Sequence, residues 1–188
     1  VVRSNKSVFN GYLHQKRLII RNKDMKLYYT TLETSFGWLL LVGSNGKLVE
    51  LKLPKPTKEA ALAGVPSGAV ESIKEFGDLI ERLRLYFDGK PVDFSDIPVS
   101  FEGLGEFHAQ VLRETMKIGY GDTISYGELA AIAGSPGAAR AVGNAMHNNP
   151  MAIVVPCHRV LHKNGLLGGY AGGLDLKRRL LTMEGANI

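Results

Sequence analysis

Ser125-Tyr126-Gly127-Glu128-Leu129-Ala130-Ala131-Ile132-Ala133-Gly134-Ser135-Pro136-Gly137-Ala138-Ala139-Arg140-Ala141-Val142-Gly143-Asn144-Ala145-Met146-His147 holds two helix signals in succession. Ser125 followed three residues later by Glu128 is a capping box, which starts a helix running through Ala133. Gly134 stops that helix. Ser135 and Pro136 read as the cap and first residue of a second helix ending near His147. Two short helices joined by a tight glycine turn form a helix-turn-helix pattern. The second helix is almost all Ala and Gly around one long cation, Arg140. Small residues let a helix backbone approach another surface closely. That surface is either a neighbouring helix in the core or a nucleic-acid groove probed by the arginine.

Downstream lies Ile153-Val154-Val155-Pro156-Cys157-His158-Arg159-Val160, read as a buried strand entering Pro-Cys-His. Cys157 is the only cysteine of the chain. A lone cysteine is commonly an inert buried residue. Here a histidine and an arginine adjoin it, and basic neighbours raise the population of a nucleophilic thiolate. A glycine-rich loop follows at Gly165 to Gly173, where backbone amides can approach a flat ligand closely. Leu174 to Gly185 reads as a closing helix with Glu184 at its end. Upstream, Glu106 to Ile118 is an amphipathic helix ended by Gly119-Tyr120-Gly121.

The first half is different in character. Lys26 to Thr31, Gly37 to Gly43 and Lys47 to Leu53 are strand-like, with Ser44-Asn45-Gly46 as a hairpin turn. Pro54 to Pro66 holds three prolines and reads as a linker. Val70, Ile73, Phe76, Ile80, Leu83 and Phe87 recur at helical spacing, which predicts one helix over Val70 to Phe87. Gly89 to Ser100 is a connector. No chemical motif stands out here, so residues 25–100 are expected to be an α+β scaffold domain. Residues 101–188 are expected to carry the chemistry.

Charge and cysteine usage set limits. The net charge is +5, and residues 1–24 carry all of it: six cations against Asp24. The body is formally neutral, so the high pI is no footprint of nucleic-acid binding there. Residues 1–24 are expected to be a basic extension or tail, with a phosphate-binding arm as the alternative, and Met25 looks like the natural start of the domain. No apolar run reaches the roughly 20 residues of a membrane span, and the first residues lack a signal-peptide layout. One cysteine excludes an internal disulfide framework and a multi-cysteine zinc site. It suits a reducing compartment. The expectation is a monomeric cytoplasmic protein, nuclear if its source is eukaryotic, with no metal and no cofactor.

Pro156-Cys157-His158-Arg159-Val160 resembles the active-site signature of the methylated-DNA-protein-cysteine methyltransferases, or alkylguanine-DNA alkyltransferases. Ile124 to Ala130 resembles the start of that family's helix-turn-helix, and Ala139-Arg140-Ala141-Val142-Gly143 its recognition helix. Asn148-Asn149-Pro150, Gly169-Tyr170-Ala171-Gly172-Gly173 and Met183-Glu184-Gly185 resemble further family segments, in order and in register. The resemblance runs from about Phe101 to Gly185 and is looser before that. It implies a ribonuclease H-like N-terminal sheet-plus-helix domain and a C-terminal helical domain with a winged-helix-like helix-turn-helix motif.

It also implies roles. Cys157 would accept the alkyl group, and His158 would act as general base through a water. Glu184 would orient that histidine, and Asn149 would hold the active-site turn. Tyr126 would contact the flipped nucleotide and protonate the leaving guanine. The carbonyls of Cys157 and Val160, with Tyr170 and Ala171, would form the guanine pocket. Arg140 would fill the gap in the base stack. Ala139, Gly143, Ser135, Gly127, Tyr126 and Lys163 would join Arg140 on the minor groove of double-stranded DNA. The activity implied is irreversible, single-turnover transfer from 6-O-alkylguanine, extending to 4-O-alkylthymine. Ala171 stands where some members carry Ser, and Ala152 where some carry Pro.

Three other readings compete. A non-enzymatic binder of alkylated DNA would lack the nucleophile, so Cys157 argues against it. A cysteine hydrolase usually draws its histidine from a distant part of the sequence. A major-groove regulator needs base-reading polar side chains, and the second helix offers little beyond Arg140 and Asn144.

Overall fold

In the computed structural model, residues 26–188 are described; the expected extension over 1–24 lies outside them. Three antiparallel strands open the fold: β1 (Tyr28–Thr34), β2 (Gly37–Ser44) and β3 (Lys47–Lys55). The β2–β3 turn puts Asn45 and Gly46 at φ 50° and 72°. Asn and Gly tolerate that left-handed geometry, and it matches strand twist. β2 is the spine of the sheet. Leu39, Leu40, Leu41 and Val42 are all fully buried. Burial of each such side chain favours folding by roughly 1.5–3 kcal/mol. Successive strand residues face opposite sides. Leu39 and Leu41 therefore enter the main core, while Leu40 and Val42 pack in a second cluster with Leu27 and Ala61.

The expected linker over Pro54 to Pro66 contains a short helix, α1 (Lys58–Leu62). Thr57 caps it by accepting from the Ala60 amide at 3.2 Å. The prolines fall outside the helical residues, so they bound it. The single helix expected over Val70 to Phe87 is three elements. β4 (Val70–Glu71) pairs in parallel with β1, a 3-10 turn spans Ile73–Phe76, and α2 spans Leu79–Phe87. Gly77 at φ 52° separates the last two. Val70 and Ile73, counted on the apolar face by periodicity, are about half exposed. The completed sheet has the order β3-β2-β1-β4.

The second half is helical. It holds α3 (Glu106–Thr115), α4 (Tyr126–Ile132), α5 (Ala139–His147) and α6 (Leu174–Met183). Two short strands, β5 (Ile124–Ser125) and β6 (Val160–Leu161), pair in parallel. The Ser125–Glu128 capping box is present in both directions, at 3.2 and 2.9 Å. The start of α5 differs from expectation. Gly137 lies at φ 88°, and the residue before the helix is Ala138, with no side-chain cap. Ser135 and Pro136 belong to the turn instead.

One buried cluster runs through both halves, from Leu39 and Leu83 to Val111, Val142 and Leu180. The edge of β3 also grips the segment before the cysteine. The Leu51 amide donates to the Pro150 carbonyl at 2.9 Å, and Leu51 bridges Met151. The sheet thus fixes where the Cys157 segment begins. Among the described residues, no helix is long and apolar enough to cross a membrane.

Candidate active site

The segment expected as a strand into Cys157 is a sharp turn. Ile153 has φ 73°, and Ala152 bridges Val155. A β-branched residue in that region is strained, and the surroundings must hold it there. Ile153, Val154 and Val155 are essentially fully buried, which supplies that hold. Cys157–Arg159 then forms one 3-10 turn. Asn149 pins the bend. Its Nδ2 donates to the Val155 carbonyl at 2.8 Å and to Cys157 Sγ at 3.1 Å, while its Oδ1 accepts from the Met151 amide at 3.0 Å.

Cys157 is only 5% exposed. Burial pushes its thiol up from the usual range, opposed by the Asn149 hydrogen bond and the positive charge of Lys177. The resting group is therefore a thiol that needs a base. It borders a cavity of about 370 Å³ shared with Asn149, Met146, Ala152, Tyr170 and Ala171. Leu51 and Leu53 of β3 line it as well. The Tyr170 hydroxyl is buried without a hydrogen-bond partner of ordinary geometry. Burial pushes its pKa well up, and so would charge on Cys157.

His158 is fully buried. Its Nε2 lies 2.8 Å from Glu184 Oε1. Burial alone would push the Glu184 carboxyl up. Hydrogen bonds from His158 and Arg159 outweigh this and hold it down, at about 2. An ionised carboxylate only accepts hydrogen bonds, so Nε2 carries the proton. Burial also lowers the pKa of His158, so the ring is neutral. Its Nδ1 is then a bare lone pair, and it has no hydrogen-bond partner. Glu184 is saturated. Oε1 accepts from His158, from Arg159 Nη2 at 2.9 Å and from Tyr86 at 2.5 Å; Oε2 accepts from Arg159 Nε at 2.9 Å and the Gly121 amide at 3.3 Å. Gly121 sits at φ 79°, and a Cβ there would lie 2.8 Å from the Glu184 carbonyl oxygen. Glycine is required at that position.

Sequence reasoning missed three of these side chains. Arg159 was noted beside the cysteine but given no role. Tyr86 comes from α2, where no motif marked it. Lys177 is fully buried on α6 and donates to the carbonyls of Val160, at 2.7 Å, and Leu167. Burial lowers its pKa to about 8. A usable signal existed: Lys177 shares a helical face with Leu180, Leu181 and Glu184. The two carbonyls expected in the guanine pocket already accept one bond each, Cys157 from the Val160 amide and Val160 from Lys177. Each retains a second lone pair.

Of the remaining expected residues, Tyr126, Ala139, Arg140 and Gly143 border a second cavity, of about 480 Å³, with Asn144. Arg140 is exposed on α5. His147 borders both cavities. Tyr126 opens α4, its ring 5.4 Å from the His162 ring and 5.9 Å from Lys177 Nζ. Its pKa is raised by burial and by Cys157, which places the phenol within electrostatic reach of the thiol. Gly168, at φ 66°, leaves room for it: a Cβ there would lie 2.9 Å from the Tyr126 hydroxyl. Gly127 is exposed in the first turn of α4 and Ser135 lies in the inter-helix turn. Lys163 is exposed in the loop after β6, and its charge adds to the Ser125 hydrogen bonds that lower the Glu128 carboxyl.

Similarity to known proteins extends over most of the described chain. Residues 27–101 match the family model of the 6-O-methylguanine DNA methyltransferase ribonuclease-like domain, and residues 106–186 match that family's DNA binding domain. A methylated-DNA-protein-cysteine methyltransferase of Mycolicibacterium paratuberculosis is 44% identical over 156 residues, 83% of this chain and 91% of that protein. One from Methanosarcina acetivorans is 41% identical, over 85% of this chain and 99% of its own length. Among solved structures, the Mycobacterium tuberculosis protein in complex with DNA superposes with a TM-score of 0.72 at 37% identity, covering 84% of this chain and 92% of that one. A cysteine poised in a pocket, a buried histidine-carboxylate pair and this continuous similarity lead to one conclusion: the chain belongs to the methylated-DNA-protein-cysteine methyltransferase family.

Proposed function

We propose that Cys157 is the acceptor in the repair reaction of this family, taking the alkyl group from 6-O-alkylguanine in double-stranded DNA. The observation that carries this reading is the buried thiol at the cavity wall, one residue before the buried histidine of the His158–Glu184 pair. The target oxygen faces the stacked interior of the duplex, so the nucleotide must be extruded. The small-residue surface of α5 suits close approach to the minor groove, with Arg140 filling the vacated stack. Ala139, Gly143, Ser135, Gly127 and Lys163 would contact the DNA with it.

The chemistry is in-line displacement at a saturated carbon. The thiol proton passes through a water to His158 Nδ1, and Glu184 stabilises the imidazolium that results. Sulfur then forms its bond to the alkyl carbon as the carbon–oxygen bond breaks. Tyr126 donates a proton to the departing guanine, while Tyr170 and Ala171 hold the base. The product is a thioether. It has no carbonyl for water to attack, so the protein is consumed. The same displacement extends to 4-O-alkylthymine. Residues 25–100 form the supporting domain and residues 101–188 the DNA-binding and reactive one. The protein works as a monomer in the cytoplasm, or in the nucleus of a eukaryotic source.

A Cys157→Ala variant tests the assignment. It should bind duplex DNA containing 6-O-methylguanine as the parent does, yet leave the lesion intact. Removal of the methyl group by this variant would overturn the assignment.

A further inference from the structure

We infer that Tyr86, on α2 of the N-terminal half, is a positioning residue for thiol activation, holding Glu184 so that His158 keeps its free nitrogen available to Cys157. The inference rests on the reading of His158 as the base.

Tyr86 is fully buried. Its hydroxyl donates to Glu184 Oε1 at 2.5 Å and lies 3.3 Å from His158 Nε2. Its ring meets Phe87, Phe94 and Tyr120 edge-on, with centroids 5.1, 5.7 and 6.0 Å away. That aromatic cage would be filled equally well by phenylalanine. A buried hydroxyl is costly unless it is bonded, so the oxygen is accounted for by its partner, not by packing. The carboxylate gains a third donor on the oxygen that also receives the His158 proton. That donor draws charge from Oε1, so the Nε2 proton stays on the imidazole when Nδ1 takes the thiol proton. His158, Arg159 and Glu184 all lie beyond residue 100, whereas Tyr86 lies before it. The sheet-bearing half therefore contributes a side chain to the reactive network as well as support.

The test is a double-mutant cycle, the clean way to apportion such a network. Single-turnover repair rates would be measured for Tyr86→Phe, His158→Ala and the double variant. Tyr86→Phe should react about tenfold more slowly, the usual scale for losing a hydrogen bond to a charged group. In the His158→Ala background the same change should have little further effect. The 15N signals of the His158 ring supply a second readout: a protonated Nε2 and bare Nδ1 in the parent, a mixture of tautomers in Tyr86→Phe. Phe94→Leu is the packing control and should lower stability without altering the tautomer or the rate. A Tyr86→Phe rate equal to the parent's, with His158→Ala slow, would overturn the role of Tyr86 alone. So would equal slowing by Tyr86→Phe in both backgrounds, or by Phe94→Leu. Full activity of His158→Ala would overturn the reading of the base, and the role of Tyr86 with it.

Discussion

The side-chain amide of Asn149 reaches both the Cys157 sulfur, at 3.1 Å, and the Val155 carbonyl, at 2.8 Å. One residue thus shapes the bend and lowers the energy of the thiolate. Asn149→Ala would leave the Met151 amide without its partner, while the Val155 carbonyl would keep only the bond from the Cys157 amide. Each unsatisfied buried group costs about 1–3 kcal/mol. Denaturant unfolding should show a loss on the order of 1–3 kcal/mol. The thiol should also react more slowly with a small disulfide reagent at neutral pH. Unchanged stability and reactivity would show that the bend holds without Asn149.

Glu184 predicts an acid limit. Its folded pKa is about 2 against an ordinary 4.5. A depressed carboxyl contributes stability above its unfolded pKa and loses it as pH falls through the folded one. Melting temperature should therefore fall between about pH 4.5 and 2. In Glu184→Gln that part of the fall should be absent, although the variant starts less stable because Arg159 is left buried and unpaired. An identical acid profile in the two proteins would contradict the pairing.

Much of this arrangement was legible in the sequence, and the exceptions have physical causes. Asn45-Gly46 and Ser125–Glu128 could be read directly, because local hydrogen bonds and φ preferences decide them. Val70 and Ile73 fitted a helical period, but pairing with β1 and the break at Gly77 overrode it. Ile153 to Val155 has the composition of a strand, yet Asn149 and the β3 edge fold it into a turn. Cys157, His158 and Glu184 were found through motifs. Tyr86 was not, because a tyrosine on an apolar helix face looks like core until its hydroxyl is seen at 2.5 Å from a carboxylate.

Lys177 supplies the positive charge that opposes the burial penalty on Cys157. Lys177→Met keeps most of the side-chain volume but removes the charge. The pH at which the thiol becomes reactive should move upward, and repair at neutral pH should slow several-fold. A pH-dependent alkylation series on the two proteins measures this. Coincident profiles would remove Lys177 from the electrostatics of the site.

Arg140 separates extrusion from chemistry. It is exposed on α5 and borders a different cavity from the thiol. Arg140→Ala should slow repair of duplex DNA by roughly tenfold or more, since unstacking a base costs a few kcal/mol. Its reaction with a free alkylguanine base should hardly change. Equal slowing of both would show that Arg140 does not plug the stack.

The central claim is that Cys157 is a reactant used once. Intact-protein mass spectrometry, after incubation with excess duplex DNA carrying 6-O-methylguanine, measures it directly. The account predicts one added methyl group per protein, located on Cys157, with one lesion repaired per molecule and none thereafter. Repaired DNA alongside unmodified protein, or repair continuing beyond one lesion per molecule, would contradict it.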